Sequence, residues 1–341
     1  MHDPRQDLLA ALLRRELGDA IQAPQPASAD ASFRRYWRVS AGANSYIVMD
    51  APPERESIDA WLDIAGRLRR AGLNAPEVFA ADRAHGLVLM SDLGSTTLLD
   101  ALNPHTVDAL YAQALAALAQ MQRAADTRGL PDYDRARLQE ELALFSEWFL
   151  TRHLGLAIDA DSDALIARTN AALIDAALEQ PTTFVHRDYH SRNLMHLAGS
   201  APGIIDFQDA VRGPLTYDLV SLLRDCYIRW PQDQVRAWAE AHRKTLTEAG
   251  LLQADPATFQ RWFDLMGLQR HLKVLGIFSR LWYRDGKQGY LAELPRVLDY
   301  VLDVAGAHAQ TRGFADWLRA QTADRELTEP RIEPADSAAQ Q

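Results

Sequence analysis

Lysine is almost missing from this chain. Lys244, Lys273 and Lys287 are the only three, and the first 243 residues contain none. A genome that favours arginine accounts for such a bias, yet any chemistry needing a cation in the first two thirds must use arginine. Cysteine is scarcer still: Cys226 stands alone, which excludes an intramolecular disulfide and fits a reducing compartment. No run approaches the roughly 18 apolar residues of a membrane span. The opening segment MHDPRQDLLAALLRREL is amphipathic and mixed in charge, without the apolar core and cleavage site of a signal peptide. Positive charge is also short, since 36 Lys and Arg against 46 Asp and Glu give 36 − 46 = −10. That balance argues against a nucleic-acid partner, which calls for a basic face, although a local basic pocket for a phosphorylated ligand is compatible with it. The expectation is a cytoplasmic protein with neither nucleic-acid nor membrane partners.

What is present has the ordinary composition of a globular protein, 48% hydrophobic and 24% charged. Leu8, Leu9, Leu12, Leu13 and Leu17 fall at helical spacing, so a helix is expected over 2–18. FRRYWRVSAGANSYIVMD, at 33–50, reads as two strands joined by AGAN. A helix is expected over 52–72, with Glu54 and Glu56 in its first turn and Gly72 at its end, and a short buried strand at 86–93. Beyond that point helical patterns dominate, at 104–125, 134–153, 161–179, 215–229, 231–249, 256–284 and 290–309, with strands only in 183–207. These patterns predict an α+β fold of two lobes: a small β-rich N-lobe over 1–95 and a larger helical C-lobe over 96–323. The charged, proline-containing segment 324–341 is expected to be a disordered tail.

The densest chemistry lies in FVHRDYHSRNLM, residues 184–195. Four charged or amide groups within ten residues are costly to pack without partners or a task. His186, Arg187, Asp188 and Asn193 satisfy H-R-D-x-x-x-x-N, the catalytic-loop pattern of kinases. Thirteen residues after Asn193 comes Asp206, in IIDFQD. Reading LMHL, the turn AGSAP and GIID as a hairpin centred at Gly199–Ser200 sets Leu194 opposite Ile205 and Asn193 opposite Asp206. An amide oxygen and a carboxylate meeting there suit Mg²⁺, and Asp188 is left to orient or deprotonate an acceptor hydroxyl. Phosphoryl transfer needs that division of labour. The alternative, a loop whose Asp and Asn only cap turns, explains the separate residues but not the spacing of the whole set.

The segments VHRDYHSRNLM and GIIDFQDAVRGPLTYDLVSLLRD resemble the aminoglycoside phosphotransferase and choline kinase family, within the protein-kinase-like fold. Most of the chain is most similar to anomeric kinases of N-acetylmuramate and N-acetylglucosamine in peptidoglycan recycling, through DASFRRYWRV, VLMSDLGSTTLLDAL and FSRLWYRDGK. The resemblance implies Asp188 as base, Asn193 and Asp206 as holders of Mg²⁺, ATP as donor and a small amino sugar as acceptor. It also implies supporting roles for Asp218 and a buried His186.

One departure follows from the missing lysine. The strand position that would carry it is Met49, so Arg34, Arg35 and Arg38 are the candidates to face the phosphates, a guanidinium fork being a reasonable substitute. Strand alternation puts Arg34 and Arg38 on one face and Arg35 on the other. Met90 and Ser91 occupy the expected hinge, where backbone groups would meet a purine edge. On the acceptor side the candidates are Asp209, Arg212, Arg280, Trp282 and Arg284, the aromatic as a platform for a sugar ring and the arginines for an acidic substituent. A kinase for choline or an aminoglycoside, and a nucleotide-binding pseudokinase, are the competing readings.

Overall fold

The computed structural model describes residues 4–29 and 34–331. In chain order the elements are α1 (Pro4–Leu17), β1 (Gln25–Ala29), β2 (Arg35–Ala41), β3 (Asn44–Asp50), α2 (Asp59–Arg70), β4 (Val78–Asp82) and β5 (Leu87–Ser91). Then come α3 (Leu98–Ala101), α4 (Val107–Ala124), α5 (Arg135–Leu144), a π-helical segment (Phe145–His153) and α6 (Ala160–Leu178). Four short strands follow: β6 (Thr182–Val185), β7 (Leu194–Met195), β8 (Gly203–Ile204) and β9 (Val211–Pro214). Helices α7 (Tyr217–Leu223), α8 (Gln232–Glu248), α9 (Pro256–Tyr283), α10 (Leu294–Ala307) and α11 (Arg312–Thr322) complete the described chain. The tail expected over 324–341 lies outside the described residues from 332 onward. Among the described residues no helix is long and apolar enough to cross a membrane.

The chain divides into two compact units, Met1–Gly129 with His186–Ala210, and Leu130–Val185 with Val211–Gln341. The first thus runs past residue 95, to the end of the stretch containing α4, and takes in the 186–210 segment. Its antiparallel sheet has the order β1-β2-β3-β5-β4. Helix α1 lays Leu9, Leu12 and Leu13 onto Val39, Val48, Leu87 and Leu89, burying its apolar stripe against alternate residues of the central strands. Arg5 ties the start of that helix to Asp50 at the end of β3, with Nε 2.9 Å from the carboxylate.

The second unit is built on α9, whose residues 262–276 are all buried. Asp255 caps it, accepting from the N–H groups of Ala257 and Thr258 at 2.9 and 3.1 Å, and Pro256 occupies the first turn. Gly276 is required there: a Cβ would lie 2.4 Å from the carbonyl carbon of Leu144, at the junction of α5 and the π-helical segment.

Several boundaries differ from expectation. The helix expected from 52 starts at Asp59, because Arg55 and Glu56 turn back to the Pro52 carbonyl and leave Glu54 and Glu56 in the preceding loop. The helix expected to reach 153 changes to π-helix at Phe145, and the one expected over 215–229 stops at Leu223. β1, β4 and α11 were not foreseen; QPASA and VFAAD lack the β-branched alternation that marks a strand.

Candidate active site

The segment 186–210 is fastened to the rest of the first unit by hydrogen bonds at both of its arms. Ile204 N–H donates to Asn74 O at 2.8 Å, and the Asn74 side chain returns a bond to Ala201 O at 2.7 Å. His196 N–H reaches Thr96 O at 2.9 Å, Leu99 N–H reaches Ser191 O at 3.0 Å, and the Tyr189 hydroxyl donates to Ala114 O at 2.8 Å. Gly203 lets the hairpin lie close to Leu93, since a Cβ there would stand 2.9 Å from Leu93 Cδ1. Phe207 packs on Trp61 of α2 with ring centroids 5.2 Å apart, which anchors the residue after Asp206.

Within this frame the loop is ordered around His186, which is fully buried. Its Nε2 bonds Ile205 O at 3.0 Å and its Nδ1 accepts from the N–H of Asp188 at 3.2 Å, so Nε2 carries the hydrogen. Burial pushes its pKa down to about 4, so the ring stays neutral at physiological pH. One imidazole therefore links the backbone of Asp188 to the residue before Asp206. Arg187 (φ 77°) and Asp206 (φ 62°) are the only non-glycine residues with positive φ among those described. Such conformations cost about 1–3 kcal/mol each and persist where surrounding contacts impose them.

The hairpin register is one residue off the expected one: Leu194 pairs with Ile204, and Met195 with Gly203. Asn193 and Asp206 nevertheless meet. Ile205 N–H bonds Asn193 O at 3.1 Å, and the left-handed turn at Asp206 brings its carboxylate back over the amide. Asn193 Nδ2 donates to Asp206 Oδ2 at 3.2 Å and to Asp188 O at 3.1 Å, so the amide nitrogen faces the carboxylate and Oδ1 is left as its acceptor end. Gln208 Nε2 donates to Asp206 Oδ1 at 3.0 Å and lies 3.4 Å from Asp209 Oδ2. Among the described residues no cluster of three or more His, Cys, Asp or Glu could hold a metal. One carboxylate and one amide oxygen fit Mg²⁺, which takes few protein oxygens and shares the rest of its shell with phosphates and water.

The three candidate arginines have different surroundings. Arg35 forks onto Asp50, directly opposite on β3, at 2.6 and 3.1 Å. Arg38 forks onto Asp92 at 2.6 and 3.0 Å and also donates to Gly94 O. Burial works against the Asp92 charge, but Arg38, Ser45 and the Gly94 N–H together hold its carboxyl below the usual range. Arg34, just before β2, stands 3.7 Å from Glu56 and 3.8 Å from Asp206. Met49 is buried, paired with Tyr36 and Val88. Met90 is also buried, and the N–H of Ser91 is committed to Glu77 O at 2.9 Å.

The remaining candidates lie in the second unit, apart from Asp209. Asp218 is buried in the first turn of α7. Arg212 is ion-paired with Asp132 at 2.6 Å and Arg284 with Asp285 at 2.8 Å, both of them exposed. Arg280 is half-buried with no hydrogen-bond partner for its Nε; burial and the neighbouring Arg284 lower its pKa. Trp282 is half-buried. Sequence reasoning missed Gln208 and Asn74. Gln208 had a signal, lying two residues past Asp206; Asn74 had none, because its role depends on a tertiary contact.

A small antiparallel sheet, a helical second unit and an Asp-Asn-Asp set on a strained hairpin define a protein-kinase-like phosphotransferase. Residues 24–256 match the Phosphotransferase enzyme family (APH), and the chain belongs to that family. It is 47% identical over 277 residues to the N-acetylmuramate/N-acetylglucosamine kinase of Pseudomonas aeruginosa, spanning 81% of this chain and 82% of that one. The kinase of the same name from Neisseria meningitidis is 40% identical over 307 residues, 88% and 91% of the two chains. In fold it is similar to Plasmodium vivax ethanolamine kinase, with TM-score 0.61 at 11% identity over 90% of this chain and 87% of that one.

Proposed function

We propose that this protein transfers the γ-phosphoryl group of ATP to the anomeric hydroxyl of N-acetylmuramate or N-acetylglucosamine, in the cytoplasm. The product, a sugar 1-phosphate, suits a later nucleotidyl transfer toward a cell-wall precursor. One observation carries the choice of acceptor: 47% and 40% identity to kinases of those sugars over more than four fifths of the chain. Asp188 receives the proton of the attacking hydroxyl, and its backbone is held by His186 at 3.2 Å. An anomeric hydroxyl is more acidic than an ordinary alcohol, so a carboxylate base is sufficient. Asn193 and Asp206 hold Mg²⁺, which supplies charge neutralisation at the phosphates when bound. Gln208 fixes the Asp206 carboxylate through its 3.0 Å bond. Met90 and the backbone following Ser91, whose own N–H is committed to Glu77 O, form the floor and edge of the purine site.

For the acceptor the candidates are Asp209 in the first unit and, in the second, Trp282 as a platform for a sugar ring and Arg280 for an acidic substituent. Arg212 and Arg284, already paired with Asp132 and Asp285, are further candidates on the acceptor side. Asp218, buried in the first turn of α7, matches the aspartate to which the family resemblance gives a supporting role. Nucleotide turnover measured with N-acetylmuramate, N-acetylglucosamine, choline and an aminoglycoside tests the assignment. Turnover with the two N-acetylated sugars and neither cation is expected, and turnover with choline or the aminoglycoside alone would overturn it.

A further inference from the structure

We propose that Arg34 is the cation that receives the nucleotide's phosphates in this chain, replacing the lysine that β3 lacks. The inference rests on the phosphotransferase reading above and deepens it. Three arginines stand at or beside β2, and the carboxylates they meet separate them. Arg35 donates from Nε and Nη2 to one oxygen of Asp50, and Arg38 forks onto both oxygens of Asp92, at 2.6–3.1 Å. Asp50 is also held by Arg5, and Asp92 by Ser45 and the Gly94 N–H. Those two guanidiniums therefore lock the sheet and the hinge. Arg34 meets a different pair: Glu56, in the loop before α2, at 3.7 Å, and Asp206 at 3.8 Å. Its side chain is only 6% exposed, against 37% for that of Asp206. A desolvated guanidinium beside the carboxylate of the cation site is placed to take a phosphate with its planar fork. Met49, the position where a lysine would otherwise stand, is fully buried among its neighbours and carries no charge.

The placement has an electrostatic consequence that a structural arginine would not share. Arg34 and a divalent cation at Asp206 repel each other when nothing lies between them. A phosphate between the two turns that repulsion into two attractions. Arg34 therefore disfavours the metal alone and favours metal and nucleotide together. At roughly 4 Å, with screening close to that of bulk water, each effect is on the order of tenfold in affinity.

The test compares wild type, Arg34→Met and Arg34→Lys in the full chain, with two probes. Mn²⁺ alone is titrated and followed by electron paramagnetic resonance. A non-hydrolysable ATP analogue is titrated calorimetrically at saturating Mg²⁺. Arg34→Met is expected to weaken the nucleotide about tenfold while tightening Mn²⁺ alone severalfold, and Arg34→Lys to recover most of the nucleotide affinity. Loss of both affinities in Arg34→Met, or no change in either, would overturn the proposal; a melting temperature for each variant shows that it is folded. Wild type that binds the nucleotide but phosphorylates no sugar would sink the functional reading and leave this inference standing. Wild type that binds no nucleotide would sink both.

Discussion

His186 joins the two arms of the candidate catalytic hairpin, and its two ring nitrogens can be removed one at a time. Nδ1 accepts the Asp188 N–H at 3.2 Å, and Nε2 donates to Ile205 O at 3.0 Å. With its pKa pushed down to about 4 by burial, the ring keeps one tautomer across the working pH range. In His186→Asn the amide oxygen takes the place of Nδ1, keeping the bond to Asp188 and losing the one to Ile205. In His186→Gln the amide nitrogen takes the place of Nε2, and the losses are reversed. Each variant leaves one buried polar group unsatisfied, so each loses about 1–3 kcal/mol of stability, read by urea denaturation. Their kinetics should separate. Releasing the Asp188 backbone displaces the base, and a displacement of about 1 Å costs on the order of a hundredfold in rate. His186→Gln is thus expected to lower kcat roughly 10- to 100-fold with little change in nucleotide KM, and His186→Asn to lower it far less. Equal kcat values for the two variants would refute the claim that His186 acts by positioning Asp188.

Three further outcomes follow from the packing. Lys273, buried, bonds Glu141 at 2.9 Å and the Tyr217 hydroxyl at 3.1 Å. Lys273→Met should cost about 3–5 kcal/mol by stranding the carboxylate, and adding Glu141→Gln should restore part of it, both read by thermal melting. His242 on α8 is held neutral by burial, its pKa lowered to about 4 against an ordinary 6.5. Because only the unfolded chain gains that proton below about pH 6.5, stability is complete above that value and falls as pH drops toward 4. The fall is about 2 kcal/mol between pH 7 and 5, and His242→Leu should flatten the slope of denaturation midpoint against pH by that amount. Gly203→Ala places a methyl 2.9 Å from Leu93 Cδ1 and 3.2 Å from Met195 Cβ. The expected loss is about 1–3 kcal/mol, with Leu93→Ala relieving part of it in a double-mutant cycle.

The H-R-D-x-x-x-x-N loop was legible as a motif because its residues are local: His186, Arg187, Asp188 and Asn193 fall within eight consecutive residues and Asp206 follows across one turn. The helices of the second unit were legible through their apolar period. Register was not. The expected centre at Gly199–Ser200 gave pairs one residue away from the observed Leu194–Ile204 pairing, and no side chain records that slip. The left-handed φ of Asp206 compensates for it, a backbone property that a non-glycine residue does not announce. The start of α2 was misplaced because a proline followed by glutamates marks a helix start, while the Pro52 carbonyl collects turn bonds instead. The arginines were legible as a set but not as individuals. Asp50, Asp92 and the Glu56–Asp206 pair are chosen by the fold, and only the fold separates Arg34 from Arg35 and Arg38.

The central claim is phosphoryl transfer to an anomeric hydroxyl with Asp188 as base. It is tested most directly by ³¹P NMR of the protein with ATP, Mg²⁺ and N-acetylmuramate, beside the Asp188→Asn variant. A new resonance coupled to the anomeric proton, absent with the variant, is the predicted result. A phosphate on another hydroxyl, or an anomeric phosphate formed equally well by Asp188→Asn, would contradict it.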